Sequence, residues 1–206
     1  MSFWFFLSFL GVIAVVPIHF VSVSHARLVE KYGEERGTRI GVILGMISGW
    51  GIFLFLFGLW VSPQARFVIP LMQETQFIIP IFGFLTLQIP VLHLILSLVF
   101  IAPGAWLGIR GVSEIGLKAS ETHRPARIIT TGIYSHIRHP QYLGAMLSHI
   151  GITLIVSGFY SLLVTPIVIL INWLLCWKEE KELVREFGND YREYQKAVPM
   201  FFPHRN

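Results

Sequence analysis

The sequence predicts an all-α fold: a polytopic membrane helix bundle of about five transmembrane helices plus a proline-broken interfacial or re-entrant segment. Three observations predict it. The 206 residues are 54% hydrophobic and only 14% charged, with a mean hydropathy of +0.64, where a soluble domain carries about a quarter charged residues. Several uncharged apolar runs approach or exceed the ~18 residues that a bilayer-crossing helix needs. Fifteen of the sixteen Lys and Arg fall in three segments that five crossings would put on one side; only Arg66 is left out. The basic balance, with a pI of about 9.4, therefore reads as a positive-inside signature, and no nucleic-acid partner is expected.

The first span, Phe3–Ser24, lacks a basic n-region and an obvious small-residue cleavage site, so it reads as retained. Arg27, Lys31, Arg36 and Arg39 follow it. The second span, Ile40–Val61, carries Gly41, Gly45 and Gly49, a smooth stripe that lets another helix approach closely. Intramolecular packing is the favoured reading of this stripe, and a homodimer contact is the alternative. Phe67–Pro90 is apolar but broken by Pro70, Pro80, Pro90 and the polar patch Gln73–Gln76. A single crossing here would split the basic loops between two sides. It must cross zero times or twice, and the prolines suit an interfacial or re-entrant path. Val91–Ile109, Tyr142–Gly158 and Ser161–Trp177 are the remaining spans, with basic segments before and after the last two. The N-terminus is then outside and the C-terminus cytoplasmic. Residues 1–112 form an N-terminal region of three spans with the 67–90 segment. Residues 113–206 form a second region of cytoplasmic loop, helical hairpin and amphipathic tail.

Geometry brings two polar motifs together. The short turn at Gly158–Tyr160 forces the last two spans into an antiparallel hairpin with limbs of about 29 Å. Arg138-His139-Pro140-Gln141-Tyr142 at the start of one limb therefore lies beside Glu179 and Glu180 at the end of the other. Pro140 suits the first turn of a helix, whose free amides and positive dipole end make an anion site. Arg138 can add a bidentate fork for a carboxylate or phosphate. Glu179 and Glu180 offer acceptors for an ammonium or for hydroxyls. The alternatives are bland: a basic anchor at the membrane boundary, and a solvated helix face with Lys178–Glu182 and Lys181–Arg185 at i,i+4 spacing. That helix is expected to run to Phe187 and stop at Gly188.

The polar loop from Ser120 to Pro140 can cover a ligand like a lid. His123, His136 and His139 are irregularly spaced and lack acidic or cysteine partners, so no metal is expected. The single cysteine, Cys176, excludes an intrachain disulfide. His19, His93 and His149 lie inside spans as singletons. Interhelical hydrogen bonds are their favoured reading, with function the alternative.

The run TTGIYSHIRHPQYLG, followed by EEKELVREFGNDYREYQKAVPMFFP, resembles the isoprenylcysteine carboxyl methyltransferase and phospholipid methyltransferase superfamily. The pattern is Gly132 and Tyr134; then Arg138, His139, Pro140, Tyr142 and Gly144; then Glu179 and Glu180; then Phe187, Gly188, Tyr191, Tyr194, Pro199 and Pro203. It covers about a third of the chain. The resemblance implies an integral-membrane methyltransferase that uses S-adenosylmethionine, releases S-adenosylhomocysteine and acts on a lipidic or small membrane-partitioning acceptor at the bilayer. The acceptor it implies is an isoprenylcysteine carboxylate or a related group; a phospholipid amine, a small thiol, or an NADPH-dependent sterol-type reduction are the alternatives. It implies catalytic roles for Arg138 and Glu179. It implies cofactor contacts from Gly132, Tyr134, His139, Pro140, Tyr142, Gly144 and Glu180. The compact form suggests a prokaryotic cytoplasmic membrane, or the endoplasmic reticulum in a eukaryote. The topology is testable: cysteines introduced as Gln73→Cys and Lys118→Cys should label from opposite sides of the membrane, and labelling from one side refutes the five-span count.

Overall fold

The computed structural model describes residues 1–71, 75–81, 85–116 and 127–202. Among these, seven α-helices form: α1 (Phe3–Ser22), α2 (His25–Tyr32), α3 (Glu34–Val61), α4 (Val91–Ile115), α5 (Pro140–Ile155), α6 (Phe159–Phe187) and α7 (Asn189–Ala197). A 3-10 turn spans Gly132–Ser135, and β1 (Gln76–Ile81) pairs with β2 (Leu85–Pro90). α1, α3, α4 and α6 are each long and apolar enough to cross a membrane. α5 has 16 residues, about 24 Å of helix. Large apolar side chains such as Trp50, Leu54, Leu98, Ile109 and Leu163 stand exposed on the outer faces. Such a surface suits lipid and not water, and the chain is an integral membrane protein.

The bundle is all-α as expected; the β-hairpin is the departure. Prolines at 80 and 90 break a helix. In a two-stranded sheet both strands are edges, so each Pro can turn its missing N–H outward. Pro80 pairs with Thr86 and Pro90 with Gln76. The segment starts and ends at one end of the bundle. Phe67 N–H donates to Ser157 O at 3.0 Å, and Arg66 bridges Gly158. On the exit side, Val91 N–H donates to Thr75 O at 2.9 Å. The His93 imidazole sits between Ile69 N–H (3.1 Å) and the Leu154 carbonyl (3.2 Å). Ends that lie together fit zero or two crossings, the parity expected of the segment.

Small residues set the closest packing. α4 and α5 run antiparallel with their backbones in contact. A Cβ on Gly144 would sit 2.6 Å from Gly104 O and 2.8 Å from Gly108 N. A Cβ on Gly111 would meet the Gln141 and Pro140 side chains. The α3 glycine stripe faces inward too. Gly41 and Gly45 are buried, and a Cβ on Gly41 would lie 3.5 Å from Leu28 of α2. The homodimer alternative is not supported: α2 covers Gly41, Gly45 is buried, and Gly49 borders the interior cavity. Phe5 and Val12 of α1, Leu59 of α3, and Val164 and Val168 of α6 form the core at the hairpin end.

The C-terminal third of α6 is more buried than expected. It reaches Phe187 and ends at Gly188 with a φ of 60°, a left-handed value that favours glycine. Yet Glu179, Glu180 and Glu182 are all buried, which corrects the solvated-face alternative. α2 and α7 cover this part of the helix. Glu186 Oε2 lies 3.0 Å from His25 Nε2 of α2, and Glu182 pairs with Arg185 at 2.5 Å.

Gly144→Ala should destabilise the protein by about 1–3 kcal/mol, because the added methyl meets backbone that cannot swing away. Gly108→Ala, where nothing lies within 4 Å of the added carbon, should not. Thermal unfolding in detergent measures both, and equal melting temperatures would refute the backbone contact.

Candidate functional site

Every third or fourth residue on one face of α6, namely Asn172, Leu175, Glu179, Leu183 and Phe187, lines a single cavity of about 450 Å³. This is the helical periodicity at work. The cavity begins at a polar end, where the α5 N-terminus, the 3-10 turn and α7 converge, and continues to His19 of α1 and Gly49 and Ile52 of α3. Asn172 precedes Glu179 by seven residues, or about 10 Å along the helix. The cavity therefore runs from the basic end of the bundle toward membrane depth.

At the polar end, the sequence-predicted residues divide into two groups. Tyr134, Arg138, His139, Pro140, Tyr142 and Glu179 line the cavity; Gly132, Gly144 and Glu180 do not. Each of the three has a physical reason. Gly132 holds a left-handed turn (φ 59°) pressed against the Glu114 carboxylate, which accepts from Ile133 N–H at 2.8 Å. Gly144 is the α4 contact described above. Glu180 is one residue from Glu179, hence about 100° round the helix, and its carboxylate meets protein instead.

Glu180 is the centre of a closed network. Its Oε1 accepts from Arg138 Nε at 2.6 Å and lies 3.1 Å from His139 Nε2. Its Oε2 accepts from Gln195 Nε2 at 2.8 Å. Arg138 Nη1 donates to the carbonyls of Gln195 (3.0 Å) and Val198. The backbone N–H groups of Arg138 and His139 donate to Pro199 O (3.0 Å) and Met200 O (3.2 Å). Arg138 and Glu180 side chains are each 9% exposed. One guanidinium nitrogen, Nη1, thus grips the chain's own C-terminal segment and another, Nε, is taken by Glu180, where a fork for a ligand anion was expected.

The tyrosines are neutral donors. Burial pushes the Tyr134 phenol up to about 12, and it donates to Gly111 O at 3.1 Å while accepting from Gln141 Nε2 at 3.1 Å. Burial also raises Tyr194, which donates to Tyr134 O at 2.6 Å. At the α5 N-terminus, Pro140 has no N–H and Leu143 N–H bonds His139 O. Gln141 and Tyr142, which follow in the first turn, both line the cavity. What this end can do is hold a small zwitterion. Glu179 faces a cation or hydroxyls, the helix dipole faces an anion, and Leu183 and Phe187 supply an apolar wall.

Several cavity residues lay outside the predicted site: His19, Gly49, Asn172, Tyr191 and Tyr194. Asn172 carried a signal, a polar residue inside a span and two turns from Glu179. Ile128 and Ile129 line the cavity from the expected lid; the lid's earlier part, with His123, lies outside the described residues. Among the described residues, no three metal-capable side chains cluster.

Arg138→Leu should strand the Glu180 carboxylate in its buried site and cost about 3–5 kcal/mol. It should also expose residues 195–200 to protease before the helices unfold. A tail as resistant as in the wild type would refute the network's clamping role.

Residues 92–190 match the family model described as phospholipid methyltransferase. Over 101 residues the chain is 32% identical to the protein-S-isoprenylcysteine O-methyltransferase of Schizosaccharomyces pombe, covering 45% of this chain and 40% of that one. It is 34% identical over 82 residues to methanethiol S-methyltransferase 1 of Bradyrhizobium diazoefficiens (39% and 28%). It is 36% identical over 92 residues to the methanethiol S-methyltransferase of Pseudomonas deceptionensis (42% and 34%). The chain thus spans less than half the length of these curated relatives. The matched region is the one that supplies α4, α5, α6 and most of the polar end of the cavity, and it is there that the chain is similar to phospholipid, isoprenylcysteine and methanethiol methyltransferases.

Proposed function

We propose that this chain is an integral membrane methyltransferase that takes its methyl group from S-adenosylmethionine and passes it to a membrane-associated acceptor. The observation that carries the reading is the single cavity joining a zwitterion-binding polar end to an apolar end at membrane depth. A soluble donor and a lipid-partitioning acceptor need such a connected space to meet.

The residues present fit that donor. The Glu179 carboxylate suits an ammonium or ribose hydroxyls. The Gln141 and Tyr142 amides at the α5 N-terminus suit a carboxylate. Leu183, Phe187 and Ile128 suit a flat heteroaromatic ring. When bound, S-adenosylmethionine supplies an electrophilic sulfonium methyl that an in-line nucleophile can displace. The chain's own contribution is to position both reactants and keep water out. Glu179 holds charge beside the donor, as the catalytic role expected of it requires. Arg138 and Glu180 act one step back, by fixing the α5 N-terminus and the C-terminal segment that close the polar end. The positive-inside rule puts that end, with Arg27, Lys31, Lys178 and Lys181, on the cytoplasmic side.

The acceptor has two readings from the relatives' names, a prenylcysteine carboxylate and a small thiol; a phospholipid amine is a third. Calorimetric titration of the detergent-solubilised protein should give saturable binding of S-adenosylmethionine and S-adenosylhomocysteine, and none of NADPH. Glu179→Gln should weaken S-adenosylhomocysteine binding at least about 10-fold, a charge-assisted bond's worth. Saturable NADPH binding alone would turn the reading toward a reductase.

A further inference from the structure

We propose that the outer ridge of α6 from Leu170 to Arg185, together with Arg27 of α2, is a docking site for an anionic phospholipid in the leaflet at the basic end of the bundle. The site lies apart from the cavity, and the lipid it takes is a bound component of the bundle and not a methyl acceptor.

Leu170, Trp173, Trp177 and Lys181 follow one another at steps of three or four residues, so they form one ridge of α6. The first three are 52%, 45% and 45% exposed, and none of the four lines the cavity. The ridge changes character along its length. Leu170 and Trp173 offer an apolar surface to acyl chains. Trp177 is of the type that gathers at headgroup level. Lys181 is exposed one turn further on. Its Nζ lies 3.4 Å from the centre of the Trp177 ring, the lean toward the helix N-terminus that helical side chains take. On α6 that direction is toward the bilayer, so the ammonium is held near the level of lipid phosphates.

Further cations surround the top of the ridge. Lys178 is half-buried and stands within electrostatic reach of Lys181 and Arg185 on its own helix and of Arg27 on α2. The 3.0 Å contact between His25 Nε2 and Glu186 Oε2 fixes α2 at this place. Lys178, Lys181 and Arg185 repeat at i,i+3 and i,i+4, spacings at which like charges repel. Among the described residues, the acid acting on Lys178 is Glu182. It is 1% exposed, and its Oε1 accepts from Arg185 at 2.5 Å. The outer surface therefore carries the charges of Arg27, Lys178 and Lys181. A phosphodiester among them accepts hydrogen bonds from both helices and offsets the repulsion.

The occupant follows from the two halves of the ridge together. A free phosphate or an acidic peptide would meet the cations and leave Leu170 and Trp173 uncovered. A zwitterionic phospholipid would bring its own cation to a surface already crowded with them. An anionic diacyl phospholipid meets the cations with its phosphate and the apolar part of the ridge with its chains. Basic residues beside a membrane helix at headgroup level attract such lipids.

The test uses the full chain in detergent, titrated with dioleoylphosphatidylglycerol or dioleoylphosphatidylcholine, with bound lipid counted by native mass spectrometry. Phosphatidylglycerol should bind at least about 10-fold more tightly, and the preference should shrink as added salt screens the charges. Arg27→Gln combined with Lys178→Gln should remove most of it. Arg192→Gln combined with Lys196→Gln takes the same charge from α7 instead, where both residues bond neighbours on their own helix. That variant should keep the preference within about two-fold of wild type. Lys181→Gln, at an exposed position, should lower the preference about 3-fold with an unchanged melting temperature, which separates lost binding from lost folding. Phosphatidylglycerol with brominated chains should quench tryptophan fluorescence more in the wild type than in Trp173→Phe with Trp177→Phe. Equal affinity for the two lipids overturns the inference. So does an equal loss in the α7 variant, which would reduce the preference to net charge. Displacement of phosphatidylglycerol by an equal concentration of glycerol phosphate, or of polyglutamate, overturns the lipid as occupant in favour of a free anion or an acidic protein. Binding of S-adenosylhomocysteine has no part in these readouts, so the methyltransferase reading and the lipid site fail separately.

Discussion

The ion pair between Arg138 and Glu180 is the constraint on which the polar end of the molecule depends. Two charges taken out of water together lose more solvation than their mutual attraction returns, unless further bonds fill the remaining donor and acceptor positions. Here they are filled. The carboxylate meets Arg138, His139 and Gln195, and the guanidinium also meets the carbonyls of Gln195 and Val198. Every one of these partners lies on a different piece of backbone from Glu180 itself, either the start of α5 or the C-terminal segment. The pair is satisfied only when α6, the α5 entrance and the tail are all assembled. It thereby makes the shape of the cavity mouth a cooperative property, and it leaves the neighbouring Glu179 as the carboxylate turned to the interior.

That division of labour between adjacent glutamates explains how one short motif can serve both structure and binding. A helix turns about 100° per residue, so a Glu-Glu pair cannot present both carboxylates to one pocket. Along α6 the cavity face continues as Asn172, Leu175, Leu183 and Phe187, and Glu180 is off that face. The same logic applies to Gly144. It sits four residues after Pro140, toward α4 and away from the cavity, where its missing side chain lets two backbones touch.

Much of this architecture was legible in the sequence because simple constraints fixed it. Fifteen basic residues in three segments that five crossings would put on one side constrained the parity of 67–90, and the short turn at Gly158–Tyr160 implied the meeting of residues near 140 and 179. The β-hairpin was not legible. Its prolines argued only against a helix, and an apolar segment with exposed Phe77, Ile78 and Ile79 has no inside-outside alternation to mark strands. The Arg138–Glu180 bond was half legible: their proximity followed from the hairpin, but which partner each would take depended on the tail folding back, which no local pattern announces. The glycine stripe on α3 drew notice for its regular spacing. The closer contact, Gly104 and Gly108 against Gly144, was spread over two distant helices and had no single run to reveal it.

The cavity also explains why a clear resemblance leaves the acceptor open. The match covers residues 92–190, which build the polar end of the cavity from α5 and α6. The inner end adds His19, Gly49 and Ile52 from α1 and α3, helices outside that match whose sequences are otherwise generic spans. A membrane enzyme built this way can keep one cofactor pocket and change substrate by changing the helices that face it, since the two surfaces meet only through a shared space. His19 is informative for this reason. Its bond to Ser48 joins α1 to α3 at the inner end, in the part of the cavity that the family match does not reach.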